Sequence, residues 1–185
     1  MKNPLLEIIG AGVLAPSADN EHVFRAEILE TGIRLWPTAE FAALTAEDRL
    51  RRVLGMLSMG AVLENMRLRA LELGFAAQVK WLSGSGSEPM AQLNVQRADS
   101  QTSDDLAAAI PARHSNRRMY HGPVLTPHEI AQLNAAVAPV AGARLIWLQG
   151  AARRQALGLV WRAESERFLR QDLHHEIFSS IRFDL

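Results

Sequence analysis

Cysteine is absent from the 185-residue chain. Its absence excludes disulfides, a thiolate metal site and a cysteine nucleophile, and suits a cytoplasmic protein. An excess of charge is missing as well: 20 basic residues face 20 acidic ones. No net field gathers nucleic acid or an anionic membrane, so neither is an expected partner, although local patches stay open. No apolar run approaches the ~20 residues of a membrane span, and the amino terminus lacks the basic, apolar and small order of a signal peptide. What the chain does have is apolar content, 48% of its residues. That is enough to bury a core in one compact domain, or in one and a half structural units. A soluble, intracellular protein is the expectation.

Periodicity and punctuation give alternating helices and short strands. Residues 4–14 are apolar enough for a buried helix that Pro16 stops. Residues 22–30 alternate, with Phe24, Ala26 and Ile28 on one face, and Thr31-Gly32 turns them into a second strand at 33–36. Thr45 can cap a long helix that runs to Leu73 and ends at Gly74. Residues 76–82 and 91–97 read as strands joined by the Ser83-Gly84-Ser85-Gly86-Ser87 turn. A helix at 103–110 is cut by Pro111, and Thr126-Pro127-His128-Glu129 opens another helix to Val137 with a capping box. Residues 145–148 read as a buried strand, and 151–181 as one or two further helices. The class expected is α+β, a sheet flanked by helices.

The long helix is apolar nearly all round after Met56, which makes it central. It also tolerates Gly55 and Gly60, each at about 1 kcal/mol against alanine. A close approach to its backbone is implied, either from tight helix packing or from a cofactor or subunit along that face.

Ile9-Gly10-Ala11-Gly12-Val13-Leu14-Ala15-Pro16-Ser17-Ala18-Asp19-Asn20 admits two readings. Its first half fits the Gly-x-Gly-x-x-Ala dinucleotide fingerprint, which requires a helix running on from the second glycine. Pro16 would fall in the first turns of that helix and break it. Gly10 and Gly12 are therefore taken as small residues in a packed helix, and the chemistry passes to the second half. Pro16-Ser17-x-x-Asn20 presents a hydroxyl and an amide able to donate and accept; an Asx turn at a helix stop is the plainer alternative. Arg113-His114-Ser115-Asn116-Arg117 places two forked cations around a hydroxyl. That suits a phosphate, with a solvated basic turn as the alternative.

Taken together, these elements resemble the FMN-dependent nitroreductase family. A helix ends there in an Ala-Pro-Ser-x-x-Asn loop before a strand. The Arg-x-Ser-x-Arg element, the Pro123-Val124 pair after it, and the stretch from Ser58 to Ala70 are similar to further parts of that family. The order differs, because in single-unit members the arginine element precedes the loop. A repeat would explain this, with Ala138-Pro139 opposite Ala15-Pro16 and 145–148 opposite the strand at 24–28. The chain thus resembles the duplicated, Acg-type branch, with residues 1–110 as a first half and 111–185 as the start of a second, incomplete one. Where the family has Gln-Pro-Trp after the loop, this chain has Glu21-His22-Val23.

The resemblance implies a nitroreductase-like α/β/α sandwich whose second repeat is incomplete. It implies one FMN, its ring contacted by Pro16, Ser17 and Asn20 and its phosphate held by Arg113, Ser115 and Arg117. NAD(P)H would be a transient reductant, and a nitroaromatic, quinone or similar small molecule the acceptor. No side chain is named as a catalytic acid or base, since the cofactor carries the chemistry. A flavin-sequestering protein without turnover, and a folded remnant that no longer binds flavin, are the alternatives. The second half is either cut short or completed by a homodimer or an exchange of elements. His174-His175-Glu176 is no metal site on this reading, because neighbours on a helix point about a hundred degrees apart.

Overall fold

The computed structural model describes residues 3–18, 21–45, 47–82, 88–98, 105–115 and 124–179. It divides into two compact units, Met1–His114 and Ser115–Leu185.

In the first unit local signals set most boundaries. Helix α1 (Pro4–Val13) starts because the Asn3 side chain accepts from the Leu5 N–H at 3.0 Å and Pro4 needs no donor of its own. Strands β1 (Phe24–Leu29) and β2 (Gly32–Pro37) form the expected hairpin. Leu29 pairs with Gly32, so the two-residue turn is Glu30-Thr31 and Gly32 is already in the strand. A Cβ at Gly32 would run into the carbonyl oxygen of Leu93 on the next strand, which accounts for the glycine there.

A short helix, α2 (Ala39–Ala42), follows under a Thr38 cap, whose hydroxyl accepts from the Phe41 N–H at 3.2 Å. The long helix α3 spans Arg49–Glu72, three residues later than a Thr45 cap would give. Thr45 does donate to the Asp48 carboxylate, through its N–H at 2.9 Å and its hydroxyl at 3.0 Å, but this closes the turn that precedes the helix. Gly74 ends α3 in the left-handed region, with φ 79°. Strands β3 (Phe75–Trp81) and β4 (Ala91–Arg97) and the short helix α4 (Leu106–Ala109) complete the unit. The Ser83 to Ser87 turn and the start of the helix expected from Ser103 lie outside the described residues.

The four strands make an antiparallel sheet in the order β1-β2-β4-β3. Its two faces differ as the period of two requires. Ile33, Leu35, Ala91, Leu93 and Val95 are buried, while Arg34, Trp36, Gln92 and Asn94, which alternate with them, are half-exposed. Helices α1 and α3 cover the apolar face. Ile8 from α1 and Met59, Val62, Leu63, Met66 and Ala70 from α3 complete the core. Truncating a fully buried member such as Leu93 to alanine costs about 2–5 kcal/mol. A smaller cluster of Ala11, Leu68, Ala107 and Ile110 ties α4 to both helices. The mixed α/β class expected from the sequence is the one observed.

Two glycines meet the close approaches expected of them. A Cβ on Gly12 would lie 2.7 Å and 2.9 Å from Met66 side-chain atoms, so α1 and α3 cross where α1 has no side chain. A Cβ on Gly55 would strike the ring of Phe41. At Gly60 and Gly10, by contrast, nothing lies within 4 Å of such an atom.

The second unit contains α5 (Pro127–Val137), α6 (Gly150–Leu169) and α7 (Gln171–Ser179). The capping box is as read: the Glu129 N–H donates to the Thr126 hydroxyl at 3.3 Å, and the Glu129 carboxylate accepts from the Thr126 N–H at 2.7 Å. The strand expected at 145–148 is not formed. Those residues carry no ladder and are exposed, Ile146 at 60%. An apolar run becomes a strand only where a neighbouring edge takes its N–H and C=O groups, and no strand is found among the described residues of this unit. No described helix is long and apolar enough to cross a membrane.

Candidate functional site

The loop after α1 is held by three polar contacts from distant parts of the chain. The last carbonyls of a helix have no partner inside it. Here Asn65 Nδ2 donates to the Ala11 carbonyl at 3.1 Å, and Arg113 Nη2 donates to the Leu14 carbonyl at 3.4 Å. A guanidinium at this end also complements the helix dipole. Beyond Pro16, the Ala18 N–H donates to Ser58 Oγ at 3.4 Å, while that hydroxyl donates to the Leu54 carbonyl at 2.9 Å. Ser58 is a buried polar residue of the core, 8% exposed. It fixes the loop to α3. A further clamp ties α1 to α3: Arg69 sits at 2.6 Å from both Glu72 and Glu7, and these carboxylates raise the guanidinium pKa above its ordinary value.

The six residues singled out from the sequence fare differently. Pro16 is exposed and Ser17 half-buried on the loop, and the Ser17 hydroxyl has no hydrogen-bond partner among the described residues. Arg113 is brought to the start of that loop. The Leu14 carbonyl uses one of its five N–H donors, and no carboxylate pairs with it among the described residues. Ser115 is exposed and belongs to the second unit. Asn20 and Arg117 lie outside the described residues.

Beside the loop, the first unit has a cleft that sequence reasoning missed. Its volume is about 320 Å³. Glu21, His22 and Val23 after the loop, Thr38, Glu40, Phe41 and Leu44 at and after α2, and Arg51 of α3 line it. A recess of about 50 Å³, lined by Ala18, Leu54, Gly55 and Ser58 among others, shares Glu21, Val23 and Arg51 with it. Phe41 is seated against Gly55, so the bare backbone of α3 sets the position of the ring. The Arg51 guanidinium stands 4.0 Å from the Glu21 carboxylate, and the His22 ring meets Phe24 edge-on at 5.7 Å. The glycine at 55 was the one signal in the sequence. Its partner, fourteen positions earlier, is not marked by any motif.

Among the described residues no group of three or more His, Asp or Glu side chains could hold a metal ion. The arrangement offers an arginine and a serine open to a polar ligand at the loop, and a charged cleft with an aromatic lining residue next to it.

No protein-family model matches the chain, and no curated protein matches its sequence. Among solved structures, one similar chain is an NADPH:FMN oxidoreductase from Vibrio harveyi complexed with NAD+. It is 13% identical, covers 75% of this chain and 76% of its own, and superposes with a TM-score of 0.43. That superposition is too loose for any property of that protein to be carried over to this chain.

Proposed function

We propose that the protein is an FMN-binding oxidoreductase of nitroreductase type. The observation that carries the reading is the contact of Arg113 with Leu14, which brings the first arginine of the element to the start of the Pro16-Ser17 loop. The residues fit the group: an arginine with N–H donors to spare suits a phosphate dianion, and a serine hydroxyl without a partner suits the polar rim of a ring. In this reading Pro16, Ser17 and Asn20 line the ring, while Arg113, Ser115 and Arg117 hold the phosphate. Bound FMN would supply the hydride chemistry, accepting from NAD(P)H and delivering to a nitroaromatic, quinone or similar acceptor. The chain's own work is to bind and orient. Ser58 and Asn65 keep the loop in one position, and Arg113 neutralises charge at its start.

A second copy of the chain is proposed as the partner that packs on the second unit. What supports this is α6, where Leu157, Val160, Trp161 and Phe168 lie along one face and are each more than half exposed. An apolar stripe of this kind packs against another surface.

The test is the purified protein itself. A yellow preparation that bleaches with reduced nicotinamide and recovers with an acceptor supports turnover. A yellow but unreactive one supports sequestration instead. A colourless protein whose melting temperature does not respond to added FMN rejects both.

A further inference from the structure

The cleft beside the loop is small, at about 320 Å³. Small-molecule sites run from about 300 to 1,000 Å³, so this one has room for a one- or two-ring molecule and not for a dinucleotide. Its wall is aromatic at Phe41 and aliphatic at Val23 and Leu44. Its charges do not balance. Glu21 and Glu40 bring two carboxylates against the one guanidinium of Arg51.

The single cation serves neither carboxylate well. Arg51 is 4.0 Å from Glu21, at the outer limit of an ion pair, and both side chains are more than half exposed. No Lys or Arg pairs with Glu40 among the described residues. The remaining carboxylate, that of Glu40, lines the same cleft as the ring of Phe41. A carboxylate and the face of an aromatic ring attract the same kind of guest, a cation with an apolar body.

We infer that this cleft binds a small ring-bearing amine in its ammonium form, held between the Glu40 carboxylate and the Phe41 ring, and disfavours carboxylated molecules of the same shape. The inference rests on the cleft alone and does not require flavin at the loop.

The experiment titrates benzylammonium, benzyl alcohol and benzoate into the full chain at low ionic strength, following amide shifts of residues 21–23 and 40–44. Benzylammonium should bind at least tenfold more tightly than benzoate, with benzyl alcohol between them. The gap should narrow in 0.5 M salt, as screening requires. Glu40→Gln, an exposed change that keeps the fold, should reduce the ammonium preference severalfold while leaving benzyl alcohol unchanged. Equal affinities for the three probes, a preference for benzoate, or shifts confined to other residues would overturn the inference. A parallel FMN titration keeps the two readings apart. Loss of FMN binding with the ammonium preference intact strikes the oxidoreductase reading alone, and the reverse result strikes the cleft alone.

Discussion

Arg113 reaches across 99 positions of sequence to donate from Nη2 to the carbonyl oxygen of Leu14 at 3.4 Å. The contact is long and exposed, so it contributes little to stability. Its consequence is positional, because a guanidinium with free donors is delivered to the end of α1 where the Pro16-Ser17 loop begins.

Replacing that arginine separates the two effects. Arg113→Ala should lower FMN affinity by tenfold or more, on the scale of a charge-assisted phosphate contact. Unfolding free energy should change by less than about 1 kcal/mol. Fluorescence titration of FMN and urea unfolding measure both. Unchanged affinity would remove Arg113 from the phosphate site, and Arg117→Ala is the companion test for the second arginine.

Ser58→Ala leaves the Ala18 N–H without its acceptor. The cost should be about 1 kcal/mol, within the range for a buried hydrogen bond lost. The sharper readout is hydrogen exchange at the Ala18 amide, which should speed up well beyond the change at core amides of β4. An Ala18 amide no more labile than in the parent would show that Ser58 does not hold the loop.

The two glycines of α1 should respond in opposite directions. At Gly10 an added Cβ meets nothing within 4 Å, so Gly10→Ala should stabilise by up to about 1 kcal/mol through helix propensity. At Gly12 the same atom would press on Met66 and Val62. Overpacking there should cost about 1–3 kcal/mol, which outweighs the propensity gain. Thermal melts decide it, and a stabilising Gly12→Ala would mean that α1 and α3 are less tightly crossed than described.

Acid should remove the contribution of two carboxylates. The Thr45 N–H, then its hydroxyl, holds the Asp48 carboxyl below its ordinary pKa; Thr126 does the same to Glu129. Both groups are depressed in the folded chain, so each stabilises at pH above the ordinary carboxylate value of about 4. That contribution fades as pH falls from there through the lower folded value. The stability difference between the parent and Asp48→Asn should therefore be full at pH 7 and close below about pH 4. A difference that persists unchanged to pH 2 would contradict the assignment.

The parts of the fold legible in the sequence were those written locally. Pro16 lies just past the end of α1, Thr126-Pro127 with Glu129 opens α5, and the alternation at 22–30 is a hairpin strand, although its turn is Glu30-Thr31, one residue before the Thr31-Gly32 expected. Failures came where the deciding partner is remote. The run at 145–148 has the composition of a buried strand, and nothing within it tells whether an edge is at hand. Thr45 does bond to Asp48, as a cap pattern promises, yet the helix waits until Arg49. At the site, the resemblance pointed to the loop and the arginine element, and of these the contact of Arg113 with Leu14 is described. The cleft was not, since Phe41 and Arg51 come together only when α3 docks against α2 and the loop.

The strand order also dictates a sequence of events in time. Each hairpin, β1 with β2 and β3 with β4, joins near neighbours and can close within microseconds. The seam between them pairs Gly32 with Asn94 and Leu35 with Ala91, residues about sixty apart, and it encloses the whole of α3 in the intervening chain. Loop-closure entropy must be met before that seam gains anything, so the folding barrier should lie at its formation. Truncating Leu93 on the seam should then slow folding, whereas truncating Ile28 on the outer strand should chiefly speed unfolding. Stopped-flow chevrons with those assignments reversed would move the barrier to the first hairpin.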